Sequence, residues 1–191
     1  MPPLNLMIKP ASSLCNMRCA SCFYNDVSHH RSRASLGMMT LDTLEMTVKH
    51  AFAYATGYVS FVFQGGEPTL AGLDFYKHLV TLQGKYNTRS IPVHYAIQTN
   101  GYLIDDDWAD FLATHQFLVG LSLDGTRETH DRLRKDAEGN GTYDTVTRAA
   151  RALERHGAAF NILCVVNEGV ARDPQKIYDA LKPYRYLQFI P

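Results

Sequence analysis

Three cysteines stand close together near the start of the chain. Cys15, Cys19 and Cys22 occupy the stretch SSLCNMRCASCFY in a C-x3-C-x2-C arrangement, and Cys164 is the one other cysteine of the sequence. Thiolates at such short spacing serve as metal ligands or redox groups. In a reducing compartment, metal binding or catalysis is favoured over disulfide formation. The cysteines are therefore the first candidates for chemistry.

Two kinds of metal centre suit this spacing. A structural zinc site needs four protein ligands, so His29 or His30 would have to complete it, and the protein would then be a zinc-stabilised, non-catalytic binding module. A 4Fe–4S cluster is usually held by four thiolates. With three, one iron keeps an open position at which an exogenous ligand can bind, as in catalytic metal sites. We favour the iron–sulfur interpretation.

Apolar runs alternating with amphipathic segments must position these residues. The runs predict strands within residues 4–8, 58–68, 93–101, 117–125, 158–166 and 186–191. Helical spacings between them predict crossover helices, the first capped by Thr40, whereas 126–142 is expected to be a polar loop. The pattern predicts an α/β fold with parallel strands buried on both faces, either a partial (β/α)6 barrel or an open doubly wound sheet. Polar and glycine-rich segments follow several strands, so the site is expected at the carboxyl edge.

Length and composition exclude some classes of function. The 191 residues are 46% hydrophobic with a formal net charge of zero, which suits one globular domain and gives no electrostatic reason to bind nucleic acid or an anionic membrane. No apolar run reaches the roughly 20 residues that span a bilayer, and the N-terminus does not resemble a secretory signal. We expect a cytoplasmic protein. Because the sixth strand would have no helix to cover it, we also expect the chain to be the front part of a longer protein.

The cysteine motif after the first strand resembles the signature of radical S-adenosylmethionine (SAM) enzymes. Together with FQGGEPTLAGL, QTNG, VGLSLDG and FNILCVV, it resembles more narrowly the anaerobic sulfatase-maturating enzymes. The resemblance implies a TIM-like partial (β/α)6 barrel with a 4Fe–4S cluster whose fourth iron binds SAM. Reductive cleavage of SAM would give a 5′-deoxyadenosyl radical, which takes a Cβ hydrogen from a sulfatase cysteine or serine and yields Cα-formylglycine. Radical maturases of ribosomally made peptides share these motifs and are the alternative.

The same resemblance implies roles for individual residues. The three cysteines would hold the cluster. The SAM-binding residues would be Gly65, Gly66, Glu67, Ser122 and Arg134. Glycine lets a ligand approach the backbone, carbonyls or the Glu67 carboxylate can accept from an ammonium, and Arg134 can pair bidentately with a carboxylate. Possible substrate or adenine contacts are Tyr24, Gln64, Gln98 and Asn100.

Two departures from the family pattern qualify this prediction. The residue before the third cysteine is usually an aromatic that helps to position adenine, and here it is Ser21. The family also carries a cysteine-rich C-terminal region with two auxiliary clusters and an aspartate proposed as the base. Residues 1–191 would thus form the radical SAM core alone, with the base elsewhere. The expected partners are a sulfatase polypeptide or another peptide substrate and a low-potential electron donor of the flavodoxin or ferredoxin type.

Overall fold

Six parallel strands form one sheet. A computed structural model of the protein describes residues 3–22 and 30–191. The strands are β1 (Leu4–Ile8), β2 (Val59–Phe63), β3 (Val93–Thr99), β4 (Phe117–Ser122), β5 (Phe160–Val165) and β6 (Leu187–Ile190). Each predicted run contains one of them.

The strand order distinguishes the two predicted architectures. The strands lie side by side in the order β1-β2-β3-β4-β5-β6, and every neighbouring pair is parallel. In a doubly wound sheet, the order of the strands along the sheet reverses at a switch point. Here the strand order follows the sequence from β1 to β6 without a reversal. Right-handed crossovers in one direction place the connecting helices on one face. The α/β fold is therefore the partial (β/α)6 type, and the doubly wound alternative is wrong.

Seven α-helices connect the strands within the described residues. They are α1 (Leu41–Tyr54), α2 (Leu73–Tyr86), α3 (Asp106–Thr114), α4 (Arg127–Leu133), α5 (Tyr143–Arg155), α6 (Glu168–Ala171) and α7 (Pro174–Leu181), with 3-10 turns at Pro68–Ala71 and Lys182–Tyr184. The predicted cap is confirmed, because the Thr40 hydroxyl accepts a hydrogen bond from the backbone N–H of Thr43. None of these helices has the length and apolar character needed to span a membrane.

The core lies between the sheet and its helices. On β2, Val59, Phe61 and Phe63 are fully buried, and the rings of Phe63 and Tyr76 meet edge to face at 5.0 Å. The opposite face of the sheet is less covered, and Leu118 on β4 is 52% exposed. The expectation of strands buried on both faces was therefore wrong, because helices on one side leave the inner surface of an open barrel partly accessible.

The segment 126–142, predicted to be a polar loop, contains α4. Thr126 caps this helix by accepting from the N–H of Thr129, and His130 is its one buried residue. A seven-residue helix with a single buried, titratable side chain has no apolar periodicity, which is why the sequence pattern did not predict it. The helix places His130 and the following Arg134 close to Asp124, just beyond the end of β4, and Arg134 lines the site.

Candidate active site

The predicted site residues border one cavity of about 480 Å³ at the carboxyl edge of the sheet. Those among its lining residues are Cys15, Cys19, Cys22, Gln64, Gly65, Gly66, Glu67, Gln98, Asn100, Ser122 and Arg134. Ser21 also lines the cavity, whereas Tyr24 and His29 lie outside the described residues. Sequence reasoning did not single out the remaining lining residues Thr99, Leu163, Val165, Ile190 and Pro191. The strand ends therefore bring together residues that are far apart in sequence.

Backbone pairing holds the cysteine loop in place. The N–H of Arg18 donates to the carbonyl of Lys135 at 2.8 Å, and the N–H of Ala20 donates to the carbonyl of Leu133 at 2.8 Å. Met17, 5% exposed, pairs as an antiparallel bridge with Asp136. The loop thus obtains its conformation from the segment after α4, because it forms no helix or strand of its own.

Glycine is required in the QGGEP turn because the cysteine loop packs against it. Gly66 has φ +58°, and a Cβ atom there would lie 2.4 Å from the carbonyl oxygen of Leu14. The next residue, Glu67, donates its N–H to that same oxygen at 2.8 Å. The close approach to the Gly66 backbone, which was expected of a ligand, is thus made by the carbonyl of Leu14. The turn therefore fixes the cysteine loop beside the cavity.

The Glu67 carboxylate links the ends of β2 and β3. Its Oε1 accepts from the N–H and hydroxyl of Thr69 at 3.0 and 2.6 Å and from the hydroxyl of Thr99 at 2.7 Å, and its Oε2 accepts from the N–H of Asn100 at 2.8 Å. Burial raises the pKa of this carboxyl, and these hydrogen bonds oppose the rise. Because protein donors already occupy both carboxylate oxygens, the backbone carbonyls of the QGGEP turn are better placed than Glu67 to accept a hydrogen bond from a ligand.

Asn100 joins the QTNG turn to the cysteine loop. Its Nδ2 donates to Oδ1 of Asn16 at 2.8 Å and lies 3.7 Å from the Cys15 sulfur. The backbone N–H of Met17 lies 3.4 Å from the same sulfur. Burial raises the pKa of the Cys15 thiol, and the hydrogen bond from the N–H of Met17 opposes part of that rise.

The side chain of Arg134 is only 11% exposed and is paired with Asp124, for which the sequence predicted no role. Its Nε donates to Oδ2 of Asp124 at 2.6 Å and its Nη2 donates to Oδ1 at 3.1 Å. Asp124 follows Ser122 by two residues, and its Oδ1 also accepts from the N–H of Val165 at 2.9 Å. Asp124 thus fixes the guanidinium at the cavity wall. The SLDG motif, in which an acid follows a strand end, was the available signal.

His130 is hydrogen-bonded directly to Asp124 and, through Thr142, to the backbone of Arg134. Its Nδ1 accepts from the N–H of Asp124 at 3.2 Å, so Nε2 carries the proton and donates to the hydroxyl of Thr142 at 3.0 Å. That hydroxyl donates in turn to the carbonyl of Arg134 at 3.1 Å. Burial, with the nearby charge of Arg134, lowers the pKa of His130 to about 4, so the ring is neutral.

The electrostatics of the cysteines indicate which metal centre fits. Burial raises the pKa of Cys15 to about 11 and raises that of Cys19, which the charge of Arg134 partly offsets. Thiolates here need cations to neutralise them. Among residues 3–22 and 30–191, no three His, Cys, Asp or Glu side chains converge tightly enough for a single ion. Three thiols that border one cavity fit the three cysteine ligands expected of a 4Fe–4S cluster with one open iron position. Cys164 is buried in β5.

Comparison with known proteins agrees with this geometry. The sequence profile of the radical SAM superfamily matches residues 10–181. The cysteine-type anaerobic sulfatase-maturating enzyme of Clostridium novyi is 49% identical over 193 residues, covering 100% of this chain and 52% of that protein. The serine-type enzyme of Klebsiella aerogenes is 35% identical, covering 99% of this chain and 47% of that protein.

A solved structure aligns over nearly the whole chain. It is native anSMEcpe with bound AdoMet and a Cp18Cys peptide, with a TM-score of 0.93 and 47% identity, and the alignment covers 99% of this chain and 51% of that chain. The chain thus spans about half the length of the relatives it matches.

Proposed function

Since this chain belongs to the radical SAM superfamily, whose cofactors are a 4Fe–4S cluster and SAM, we propose that residues 1–191 form the radical SAM core of an anaerobic sulfatase-maturating enzyme. The proposed reaction oxidises a cysteine or serine of a sulfatase to Cα-formylglycine. The observation that carries the proposal is that eleven of the twelve predicted site residues line one cavity, the twelfth being outside the described ranges.

When bound, the cofactors would supply one-electron cleavage of a sulfonium and the abstraction of a hydrogen atom from substrate. The chain's residues bind and orient. Cys15, Cys19 and Cys22 would hold three irons. Arg134, prepositioned by Asp124, would pair with the SAM carboxylate through guanidinium N–H groups that Asp124 does not engage, since guanidinium has five and the ion pair uses two.

Other groups at the strand ends complete the proposed SAM site. Carbonyls of Gly65 and Gly66 would accept from the ammonium, because Glu67 is committed to Thr69, Thr99 and Asn100. The Ser122 hydroxyl, at the end of β4, would bond the ribose or carboxylate. Gln64 and Gln98 remain candidates for contact with adenine or substrate.

The cysteine-type reaction is the better supported of the two. Identity to the cysteine-type enzymes of Clostridium species is 48–49%, against 33–35% for the serine-type enzymes. Peptides carrying cysteine or serine at the modified position would distinguish them, with formylglycine detected by mass spectrometry. This assay should use the chain within a polypeptide of the relatives' length, because the chain spans about half of them. Turnover of the serine peptide alone would overturn the assignment. The electron donor we propose is a low-potential flavodoxin or ferredoxin.

Metal analysis tests the core of the proposal. After anaerobic reconstitution with iron and sulfide, we expect about four irons per chain, and the reduced cluster should give a low-spin resonance that shifts when SAM is added. Substituting any of Cys15, Cys19 or Cys22 by alanine should abolish both signals. Cys164→Ala is the matched control and should retain them, because this thiol is buried in β5. One zinc and no iron would establish the binding-module alternative instead.

A further inference from the structure

Both partners of the Arg134–Asp124 ion pair are bound through their backbones to His130. The N–H of Arg134 donates to the carbonyl of His130 at 2.9 Å, and the N–H of Asp124 donates to Nδ1 of His130 at 3.2 Å. The ion pair joins the two charged side chains at 2.6 and 3.1 Å. His130 therefore closes a ring of hydrogen bonds that holds the two charged residues by main chain as well as by side chain.

A further connection runs through Thr142. Nε2 of His130 donates to the hydroxyl of Thr142 at 3.0 Å, and that hydroxyl donates to the carbonyl of Arg134 at 3.1 Å. The N–H, the carbonyl and the guanidinium of Arg134 are thus all engaged. The exposed fractions of His130 and Thr142 are 0% and 1%, so water cannot readily replace either partner if one is removed.

This restraint matters because of where Arg134 lies. Arg134 lines the cavity together with the three cysteines, whereas His130 does not line it. Immobilising a long side chain costs free energy when a ligand binds, and a side chain that is already fixed avoids that cost. His130 can therefore affect a ligand in the cavity indirectly, by fixing Arg134 before the ligand arrives.

We propose that His130 is a positioning residue for SAM, which holds Arg134 in the orientation that pairs with the SAM carboxylate. This inference rests on the proposed function, since it needs SAM bound at Arg134. A neutral imidazole suits the task because one ring nitrogen accepts and the other donates. Glutamine offers an acceptor and a donor at a similar separation, whereas leucine fills a similar volume with neither. The polar atoms of the residue, and not its bulk, should therefore set the affinity for SAM.

The dissociation constant of SAM tests the proposal. The parent chain and its variants are reconstituted anaerobically, the cluster is left oxidised so that SAM is not cleaved, and binding is measured by equilibrium dialysis with methyl-labelled SAM. We expect His130→Leu to raise the dissociation constant at least about fivefold, the factor that one net hydrogen bond represents. His130→Gln should stay near the parent value. Thr147→Val is the control, because it removes a buried hydroxyl that donates to the carbonyl of Tyr143 and does not line the cavity.

A ligand without the carboxylate separates positioning from a general structural role. Decarboxylated SAM keeps the sulfonium, the ammonium and the adenosine, but it gives Arg134 no carboxylate to pair with. We expect His130→Leu to leave the dissociation constant of this ligand unchanged. Equal weakening of both ligands would show that His130 supports the cavity as a whole, and it would overturn the inference, as would a leucine variant that binds SAM like the parent.

Arg134→Gln distinguishes failure of this inference from failure of the proposed function. It should weaken SAM binding about tenfold or more, since it removes hydrogen bonds between charged groups. If it does so and His130→Leu has no effect, this inference alone fails. If Arg134→Gln also has no effect, the carboxylate site in the proposed function fails as well. Should His130→Leu assemble no cluster, Thr142→Val decides, because it removes the hydroxyl between His130 and Arg134 and should weaken the binding of SAM but not that of decarboxylated SAM.

Discussion

Arg134 and Asp124 form a bidentate ion pair at the wall of the cavity, with the side chain of Arg134 only 11% exposed and that of Asp124 fully buried. Two charges in such a place are stable because each compensates the other. The pair also explains how a flexible arginine can be ready for a carboxylate ligand, because its guanidinium plane is already fixed.

Removing the acid of this pair should destabilise the protein. Asp124→Asn leaves the guanidinium without a counter-charge and sets an amide N–H₂ against the arginine. We expect the free energy of unfolding to fall by about 3 kcal/mol, measured by urea denaturation of the cluster-free chain. Asp144→Asn is the matched control, since Asp144 pairs with Arg127 at the exposed surface, where solvent screens the charges, and should leave stability nearly unchanged. Equal losses in the two variants would contradict the assignment.

A side chain at Gly66 should displace the cysteine loop. Gly66→Ala places a Cβ atom against the carbonyl of Leu14 in a backbone conformation that favours glycine. We expect iron incorporation after reconstitution to drop several-fold, measured as iron and sulfide per chain. Gly84→Ala tests the same change in α2, where a Cβ meets nothing within 4 Å. That variant should keep its iron and gain about 0.5–1 kcal/mol of stability. Normal iron content in Gly66→Ala would show that the turn tolerates a side chain.

Glu67→Gln should weaken the connection between the ends of β2 and β3. The carboxylate accepts four hydrogen bonds, and an amide replaces one accepting oxygen with a donor. We expect a loss of about 2 kcal/mol in the free energy of unfolding, since a buried donor is left unpaired. Glu154→Gln on the exposed face of α5 is the control and should be near neutral. A glutamine variant as stable as the parent would contradict the role assigned to this carboxylate.

His130 should make stability depend on pH below neutrality. The pKa of this buried ring is about 4 in the folded protein, against an ordinary value of about 6.5. As the pH falls from about 6.5 to about 4, the ring binds a proton in the unfolded state but stays mostly neutral in the folded state. The free energy of unfolding therefore decreases by roughly 3 kcal/mol by pH 4. His130→Gln can preserve both hydrogen bonds and cannot titrate.

Urea denaturation between pH 7 and pH 4 measures this difference. Asp124, Asp131 and Arg134 surround the ring and are present in both proteins, so the comparison isolates His130. The glutamine variant should lose less stability than the parent over the window. Parallel curves for the two proteins would mean that the ring is already charged when folded.

The sequence predicted the strands and the cavity residues because each carries a local signal. Cysteine spacing, the glycine pair and the apolar runs can all be recognised within a few residues. The roles of Asn16, Asp124 and His130 could not be predicted in this way, because their partners are brought to them by the fold. Asn100 meets Asn16 across two strand ends, and Thr142 meets His130 beyond a loop.

Glu67 is a residue whose location could be predicted from the sequence but whose hydrogen bonds could not. Its carboxylate was correctly expected at the cavity, since it follows a strand end, but a strand end cannot reveal that Thr69, Thr99 and Asn100 already occupy its oxygens. The helix α4 was missed for a related reason. His130 is the one buried residue of this helix, and a polar residue gives no apolar pattern from which the helix could be predicted.

The pairing of the cysteine loop with residues 133–136 imposes an order on biosynthesis. The thiols leave the ribosome before the backbone groups that shape their loop, which lie more than 100 residues further along the sequence. Domains fold as units during synthesis, and contacts distant in sequence form late. Iron delivered to the nascent chain would meet three unorganised thiols, so we expect cluster insertion to follow folding through α4 rather than to initiate it.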